Sequence, residues 1–586
     1  MFEYGRVVAS DEDIESMGSS EHFFLPNDIK NYTSELFSDW GSSGRMRRLW
    51  EKDESVWTGA DEDDWLGWLE EANASEALLS QFDVLTESLL NEKFSHVALL
   101  GMGGASRTAD IIRSIFGSHG SVEFQVLDST EPASIRAFED SINLQGTLFV
   151  VASKSGSTLE TELFEEYFHH RLEEEVGKQA TGAHFVAITD KESPLYHRAR
   201  ERGYRQVFVG SDTVGGRFSA LSVFGLLPAA VMGLSVQALL LSARRMRESC
   251  GPYVDVRSNP GLRLGVALGA ASRHGMDKIT LVVSPSISSF GGWLEQLLAE
   301  STGKSGAGLI PIDTEALGAP EVYKNDRVFV VIVLAEERDY QKNSLMMLKQ
   351  SGHPVISFVL DDRYELGAEF FRWQIATAIA GSILGINPFD QPDVEATKLE
   401  TIKSLRSRVA RGKASEQELI VRAGFKGGSI VVYADEMERQ ELAASGGRDS
   451  LHNVLSAHCG RLQTGDYFAV MAYLEVNDVY SEKLQIIRHF VRDSRRVATV
   501  VGFGPRLLHS TGQLFKGGPL NGVFMQVTCR DDRDIAIPGR RYSFGDVKLA
   551  QSEGDLKVLR KRGSPAIRVH VDGPVLPGLA SLVETF

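Results

Sequence analysis

The sequence predicts an α/β fold with two doubly wound parallel sheets and a further C-terminal α/β region. Over most of the 586 residues, short apolar runs alternate with segments whose apolar residues recur at helical spacing. Strands that alternate with helices form parallel sheets, because each helix carries the chain back across the sheet. Polar or glycine-rich turns follow several apolar runs, so a ligand is expected at the carboxyl ends of the strands.

Changes in this alternation of strands and helices divide the chain into four predicted regions. Residues 1–44 are acidic and rich in serine, which indicates a flexible lead-in. Residues 45–250 and 251–412 each hold a run of β–α units and are predicted to be two similar domains. After residue 412 the order of strands and helices changes, so residues 413–586 are predicted to form the C-terminal region.

Composition narrows the class of protein. The formal net charge of −17 disfavours nucleic acid and anionic membranes as partners. No apolar run approaches the roughly 20 residues that span a bilayer, and the first residues show no secretory signal. The three cysteines lie far apart and form no zinc motif. We therefore expect a cytoplasmic protein without a metal, in which a phosphorylated substrate would need basic groups within a cleft.

The stretch from Thr147 to Phe164 offers the clearest candidate site. Its first half has the apolar character of a buried strand, and helical spacing begins near residue 159. The turn between them, SKSGST, supplies hydroxyl groups, one ammonium and the unpaired N–H groups of a helix N-terminus. An alternative is a helix start capped by its own hydroxyls. We interpret the turn as a phosphate clamp with the candidate residues Ser153, Lys154, Ser155 and Thr158.

A second turn, GMGG at residues 101–104, lies between a predicted strand and a helix. It matches the start of the dinucleotide fingerprint G-x-G-x-x-G, but Ser106 stands where the last glycine is required. Asp128, at the end of the next strand, could act as the ribose-binding acid, so a nicotinamide dehydrogenase stays an alternative. The plainer interpretation is a tight turn that needs Gly103 and Gly104 for its backbone.

Three later places carry side chains suited to catalysis. Arg217, in the sequence GGRFS ahead of an apolar helix, is a candidate for stabilising an oxyanion. Gln296 and Glu300 are four residues apart on one helix face, and Glu300 stands where that helix ends, as suits a general base. Gln391 and Lys398 lie on one side of a later helix. Each also has a plainer interpretation as a surface or capping side chain.

Together, these motifs resemble the phosphoglucose isomerase family in their order and spacing. The resemblance is most specific in SKSGST, GGRFS, AESTGK and FDQPDVEATK, and it runs from about residue 45 to the C-terminus. It is closest to the isomerase half of bacterial proteins that fuse a transaldolase to a glucose-6-phosphate isomerase. The N-terminal region is too short for a transaldolase barrel, which needs at least about 200 residues. The resemblance implies two sugar-isomerase (SIS-type) sandwiches and no cofactor, and a homodimer is common in the family.

The resemblance also implies a role for each candidate residue. Arg217 would stabilise a cis-enediolate, and Glu300 would move a proton between C2 and C1 of the sugar. Lys398 would lie near the ring oxygen. The implied activity interconverts glucose 6-phosphate and fructose 6-phosphate. The remaining matched residues would hold the sugar phosphate, namely Gly103, Gly104, Ser153, Lys154, Ser155, Thr158, Gln296 and Gln391.

The sequence departs from the family pattern at two positions. Family members usually have serine where Ala105 stands, and the ring-opening histidine is missing from the corresponding segment, residues 316–326. The polar loop at residues 504–518 offers His509 or Lys516 instead. We predict that His509 or Lys516 assists ring opening, with His509 favoured because imidazole exchanges protons near neutral pH. A buried structural turn is the alternative interpretation of this loop. A dual glucose/mannose 6-phosphate isomerase and a non-catalytic sugar-phosphate sensor stay open as alternatives.

Overall fold

The computed structural model describes residues 20–120, 122–411 and 418–586. These residues form three sheets with helices packed against them, which confirms the predicted α/β class. Two sheets have five strands and the third has six. Within the described ranges, no helix combines the length and the apolar character needed to cross a membrane.

The N-terminal segment begins with a strand that belongs to the second sheet. Strand β1 (Glu21–Phe24) pairs antiparallel with residues 355–358, and helix α1 (Asn27–Ser43) follows. Ile29 and Trp40 of this helix are buried in the core. The predicted flexible lead-in is therefore wrong for residues 20–44, because a few buried apolar side chains outweigh the acidic and serine-rich surroundings. Residues 1–19 lie outside the described residues.

The tryptophan-rich segment that follows folds as short helices. Two 3₁₀ turns separate the helix Arg45–Trp50 from the helix Trp68–Ala74, so residues 49–69 do not form one continuous helix. Trp68 is fully buried, and the indoles of Trp50, Trp57 and Trp65 pack against the same apolar core. The tryptophans therefore act as packing anchors. The helices are α2 (Arg45–Trp50), α3 (Trp68–Ala74) and α4 (Leu79–Asn91).

The first sheet is wholly parallel, with the strand order β3-β2-β4-β5-β6. Its strands are β2 (His96–Gly101), β3 (Glu123–Leu127), β4 (Thr147–Ala152), β5 (Phe185–Thr189) and β6 (Gln206–Val209). Its helices are α5 (Gly104–Phe116), α6 (Pro132–Asp140), α7 (Leu159–Val176), α8 (Lys178–Thr181) and α9 (Pro194–Glu201). The chain leaves β2 and β4 toward opposite edges of the sheet. The turns after these two neighbouring strands therefore lie at a topological switch point, where such folds bind ligands.

The second sheet is parallel except for β1 at its edge, with the order β1-β10-β9-β7-β8. Its other strands are β7 (Lys278–Val283), β8 (Ile310–Ile312), β9 (Arg327–Leu334) and β10 (Val355–Leu360). The helices before and within this unit are α10 (Val223–Val231), α11 (Val236–Ser249), α12 (Pro260–Arg273), α13 (Phe290–Thr302), α14 (Lys342–Gln350) and α15 (Leu366–Leu384). Helix α15 packs on α12 and α13, and one apolar cluster spans both units.

The third sheet is mixed, with the order β11-β12-β16-β15-β13-β14. The pairs β11–β12 and β12–β16 are antiparallel, and the other pairs are parallel. The strands are β11 (Glu418–Phe425), β12 (Gly428–Ala434), β13 (Tyr467–Tyr473), β14 (Ala498–Phe503), β15 (Gly522–Cys529) and β16 (Ala566–Asp572). The helices are α16 (Pro392–Arg411), α17 (Glu436–Ala444), α18 (Leu451–Cys459), α19 (Asp478–Arg495), α20 (Thr511–Gly517), α21 (Phe544–Lys561) and α22 (Val575–Thr585).

The C-terminal region packs closely against the first two units. Helix α21 lies along α16, and the ring of Phe544 stacks on Phe164 of α7 with the ring centroids 6.0 Å apart. The Thr130 hydroxyl donates a hydrogen bond of 2.8 Å to the Gln551 side chain of α21. These contacts bring the C-terminal region to the carboxyl ends of the first sheet, where it forms one wall of the site described next.

Candidate active site

The turn after β4 leaves its hydroxyl groups at the start of helix α7. The Ser153 hydroxyl donates to the Thr158 hydroxyl at 3.1 Å, and Gly156 adopts the left-handed φ of 65° that the turn requires. The side chains of Ser155 and Ser157 are exposed. Thr158, the N-cap residue, makes no capping hydrogen bond to the described residues of the helix. The first N–H groups of this 18-residue helix therefore remain open to an anion.

The ammonium of Lys154 is directed to a carboxylate beside the turn. Its Nζ pairs with Asp190, which follows β5, and donates to the Ser211 carbonyl oxygen at 2.8 Å. Burial raises the pKa of Asp190 even though Lys154 opposes that effect. Lys154 thus lies at the predicted turn, but a partner that the sequence did not reveal holds its charge.

The glycine turn after β2 packs against the segment that carries Arg217. A Cβ on Gly104 would lie 2.1 Å from the Gly216 carbonyl oxygen, so a side chain there is excluded. Gly103 has a φ of 58°, and a Cβ on it would lie 3.1 Å from the Cβ of His509. The hydroxyl of Ser106 is buried and donates to the Gly103 carbonyl at 3.3 Å. Ser106 therefore points into the fold and does not replace the serine missing at Ala105.

Arg217 is buried, and four groups hold its guanidinium. Nε donates to the Ser301 hydroxyl at 2.7 Å, and Nη1 donates to Gln391 Oε1 at 2.9 Å. Nη2 donates to the carbonyl oxygens of Pro388 and Asp390 at 2.7 and 3.0 Å. Burial lowers the pKa of this guanidinium, although nearby carboxylates oppose the effect. The guanidinium is thus fixed before any ligand binds.

Glu300 lies against this guanidinium, at the end of α13. Its Oε1 is 3.5 Å from Arg217 Nη1, and its Oε2 accepts a hydrogen bond of 3.3 Å from Gln296 Nε2. The Glu300 side chain is 12% exposed, so it is neither sealed off nor in bulk water. Gln296 Nε2 also donates to the His509 carbonyl at 2.8 Å, while its Oε1 is buried without a partner among the described residues. That unpaired oxygen is suited to accept a hydrogen bond from a ligand.

His509 reaches the site from the C-terminal region. Its Nε2 lies 3.0 Å from Oε1 of Glu160, a buried carboxylate in the first turn of α7. Gln551 Nε2 donates to the same oxygen at 2.6 Å. Burial raises the pKa of Glu160, but the charge and hydrogen bond of His509 outweigh it and hold the pKa below its usual range. Glu160 was not singled out from the sequence; its only signal is its position just after the SKSGST turn.

A small cavity joins several of these elements. It has a volume of about 110 Å³ and is lined by Thr158, Glu160, Lys398 and His509, among others. Lys398 is half-exposed at the edge of this cavity and pairs with Glu395 at 2.7 Å. The alternative histidine substitute, Lys516, is buried 2.5 Å from Asp555 in the C-terminal core, which leaves His509 as the group that reaches the cavity.

Hydrogen bonds connect the candidate base to the helix start. They run from Glu300 through Gln296 and His509 to Glu160, which is two residues beyond Thr158. The structure therefore brings together the residues that the sequence placed in five separate motifs. Among the described residues, one acidic and thiol group could hold a metal ion, but the Lys548 ammonium lies within it; the group consists of Glu131, Cys529 and Asp531.

Comparisons with known proteins point to one family. The family model described as phosphoglucose isomerase matches residues 88–306, which contain both turns, Arg217 and Glu300. A glucose-6-phosphate isomerase of Rubrobacter xylanophilus is 28% identical over 359 residues, covering 52% of this chain and 80% of the relative. Another, from Clostridioides difficile, is 32% identical over 288 residues, covering 42% of this chain and 64% of the relative.

Solved structures share the fold. A hypothetical protein from Thermus thermophilus has a TM-score of 0.55 at 26% identity, and the match covers 66% of this chain and 100% of the other. A glucose-6-phosphate isomerase from Chlamydia trachomatis also has a TM-score of 0.55, at 19% identity, covering 67% of this chain and 92% of the other. At 19% identity, the similarity to the Chlamydia trachomatis structure is evidence for a shared fold and not for a shared activity.

The fold and the site define a doubly wound α/β protein with its candidate site at the switch point of the first sheet. The matching family model and the named relatives make the identification more specific. Over residues 88–306 the chain is similar to the phosphoglucose isomerase family.

Proposed function

We propose that the protein is a glucose-6-phosphate isomerase, an aldose–ketose isomerase that interconverts glucose 6-phosphate and fructose 6-phosphate through a cis-enediolate. The family and the named relatives support this activity. The single observation that carries it is the Glu300 carboxylate, 3.5 Å from the buried guanidinium of Arg217 and linked through Gln296 and His509 to Glu160 in the first turn of α7. A base beside a fixed cation is what proton abstraction next to a carbonyl needs.

The turn at residues 153–158 binds the phosphate end of the sugar in this proposal. The hydroxyl groups of Ser153, Ser155 and Thr158 and the first N–H groups of α7 act as donors. Gly104 lets the neighbouring turn approach Arg217 closely. Phosphate binding makes no bond at the reacting carbons; it holds C1 and C2 near Glu300, so binding energy lowers the barrier.

Glu300 removes the proton from C2 of the open-chain aldehyde, which leaves a negative charge on the enediolate oxygens. The guanidinium of Arg217 stabilises that charge, and a well-aimed donor of this kind contributes about 3 kcal/mol. Glu300 then returns the proton to C1. As a proton passes from the C2 hydroxyl to the oxygen on C1, the aldose becomes the ketose, with no net gain or loss of atoms.

His509 opens the sugar ring in this proposal, with Lys398 beside it. Because Glu160 accepts a hydrogen bond from His509 Nε2–H, the other ring nitrogen, Nδ1, is the one that exchanges a proton with the sugar. Nδ1 takes the proton of the C1 hydroxyl and returns one to the ring oxygen. The Lys398 ammonium at the cavity edge would stabilise charge on that oxygen.

The deciding experiment uses Glu300→Gln. This substitution keeps the size and a hydrogen-bonding group but removes the base, so the variant is expected to bind the sugar phosphate and to lose exchange of the C2 proton with solvent. We expect the exchange rate to fall by at least about 10²-fold. NMR in deuterated water measures exchange, and a coupled assay for fructose 6-phosphate measures turnover.

The matched control is Glu336→Gln, because Glu336 is an exposed glutamate away from the site. It is expected to behave as wild type. Exchange at the wild-type rate in Glu300→Gln would remove Glu300 as the base. Turnover of mannose 6-phosphate in the same coupled assay would indicate a dual glucose/mannose 6-phosphate isomerase. Binding of glucose 6-phosphate without turnover by the wild-type chain would indicate a non-catalytic sensor. The proposed homodimer and the cytoplasmic location stay predictions.

A further inference from the structure

A second cavity lies where the three units meet. Its volume is about 290 Å³, and helix α5, helix α13, the end of β8, helix α19 and the segment from β14 to residue 510 contribute to its lining. It shares no lining residue with the cavity beside His509. Ser510 and Glu295, which line it, are the sequence neighbours of His509 and Gln296 in the candidate active site. The size is close to the lower end of small-molecule sites, about 300 Å³.

Arg107 gives this cavity a guanidinium without a hydrogen bond to the described part of the chain. The Arg107 side chain is 14% exposed, and its ion pair with Glu295 spans 3.6 Å, which is longer than a hydrogen bond. Gly292 lies against the guanidinium plane, since a Cβ there would be 3.6 Å from Arg107 Cζ. A largely buried guanidinium with free donors requires water or a ligand as its partner.

Two carboxyl groups face the same space. The Oδ1 atom of Asp313 accepts only the N–H of its neighbour Thr314, at 2.9 Å, among the described residues. Burial, together with the charge of Glu295, raises the pKa of Asp313 to about 7. Burial also raises the pKa of Glu295, which accepts a long hydrogen bond of 3.4 Å from the Ser510 hydroxyl. The cavity thus offers donors and acceptors side by side.

We propose that this cavity binds an uncharged polyhydroxyl compound, a sugar or a sugar alcohol. An anion would meet the Glu295 carboxylate, and a cation would meet Arg107 and Arg506. A hydroxyl group both donates and accepts, so neighbouring hydroxyls can pair with the guanidinium and the carboxyl groups together. The side chains of Val501, Phe503 and Leu507 provide an apolar wall for the C–H face of such a molecule. The ligand needs no phosphate, which separates this site from the turn at residues 153–158.

The test is calorimetric titration of the full chain with D-glucitol and D-glucose, with glycine as a zwitterionic probe. We expect saturable binding of glucitol or glucose but not of glycine. Arg107→Met removes the free donors and Val501→Phe fills the space, so each is expected to weaken binding at least about tenfold. Thr158→Val, in the separate cavity, is expected to leave glucitol binding unchanged while it weakens sugar-phosphate binding.

Thermal unfolding of each variant checks that it folds. If Arg107→Met or Val501→Phe does not fold, Gln485→Leu replaces it in the binding test. The Gln485 side chain lines the cavity from α19 and touches no residue of the candidate active site among those described. Absence of saturable sugar or sugar-alcohol binding overturns the proposal, as does binding of glycine instead. Binding that Thr158→Val abolishes and Arg107→Met preserves also overturns it, because the ligand would then occupy the other cavity. None of these results bears on the isomerase activity.

Discussion

Lys304 links the end of helix α13 to the segment that holds Arg217. Its Nζ donates to the Asn387 carbonyl at 2.6 Å and lies 2.8 Å from Asp390 Oδ1. The carbonyl of Asp390 in turn accepts a hydrogen bond from Arg217. Burial, together with the charge of Arg217, lowers the pKa of Lys304 to about 7. The position of the proposed oxyanion donor therefore depends on a lysine that loses its proton near neutral pH.

A pH–rate profile can detect this dependence. Below pH about 7 the ammonium is charged and pairs with Asp390; above it the charge is lost, so kcat/KM is expected to fall as the pH rises. Lys304→Arg should move this fall to higher pH, because a guanidinium stays charged. Lys304→Met should lower kcat/KM about tenfold at pH 6 and abolish the fall. An unchanged alkaline fall in the Met variant would contradict the role, and Lys342→Met, at an exposed lysine, is the control.

Candidate site residues were predictable from the sequence wherever a short motif carries them. The motifs indicated Arg217, Gln296 and Glu300, and the structure brings all three together. The direction of Lys154 was not predictable, because its partner Asp190 follows a different strand, 36 residues further along the chain. A sequence shows which charges exist, whereas tertiary packing decides which of them pair.

Secondary-structure elements were likewise predictable from local signals, whereas the contacts between distant elements were not. The strand, turn and helix around residues 147–176 were predicted because their signals are contiguous: a continuous apolar run, a hydroxyl-rich turn and helical spacing. The pairing of His509 with Glu160 joins side chains 349 residues apart. It depends on how the C-terminal region packs against the first sheet, which neither periodicity nor propensity encodes.

The short 3₁₀ turn at residues 506–509 brings His509 to the first turn of α7. The substitution His509→Ala should therefore slow turnover of the cyclic sugar phosphate at least about tenfold. Turnover of the open-chain aldehyde should be nearly unaffected. Glu160→Gln keeps a hydrogen-bond acceptor but removes the carboxylate that His509 Nε2 contacts. It should therefore lower kcat for the cyclic sugar phosphate without a matching change in KM.

Stopped-flow turnover of the two substrate forms measures the ring-opening step. His452→Ala is the matched control, because His452 is an exposed histidine in the C-terminal region, away from the cleft. Equal slowing of the cyclic and the open-chain forms would indicate that His509 acts after ring opening. Wild-type rates with both forms would remove it from the mechanism.

At the scale of the whole molecule, a buried ion pair joins the second sheet to the C-terminal region. Arg327 Nη1 lies 2.6 Å from Glu315 Oε1, and the Thr499 hydroxyl of β14 donates to Glu315 Oε2 at 2.7 Å. Arg327 also donates to the Val497 carbonyl at 3.2 Å. Burial alone would raise the pKa of Glu315, but Arg327 and Arg488 outweigh it and hold the pKa below its ordinary value. The predicted C-terminal region is thus joined to its neighbour by hydrogen bonds to a buried ion pair as well as by apolar contact.

Removing one partner of this ion pair should therefore weaken the packing of the second unit against the C-terminal region. Glu315→Gln leaves Arg327 as an uncompensated buried charge and should lower the free energy of unfolding by about 3–5 kcal/mol, whereas the double variant Glu315→Leu/Arg327→Met should lose less. Since the folded pKa of Glu315 lies below the unfolded one, about 4.3, the stabilisation is present above that pH and is lost as the pH falls through the folded pKa. Urea midpoints at pH 7 and pH 4 measure both effects, and a single variant as stable as the wild type at pH 7 would contradict the account.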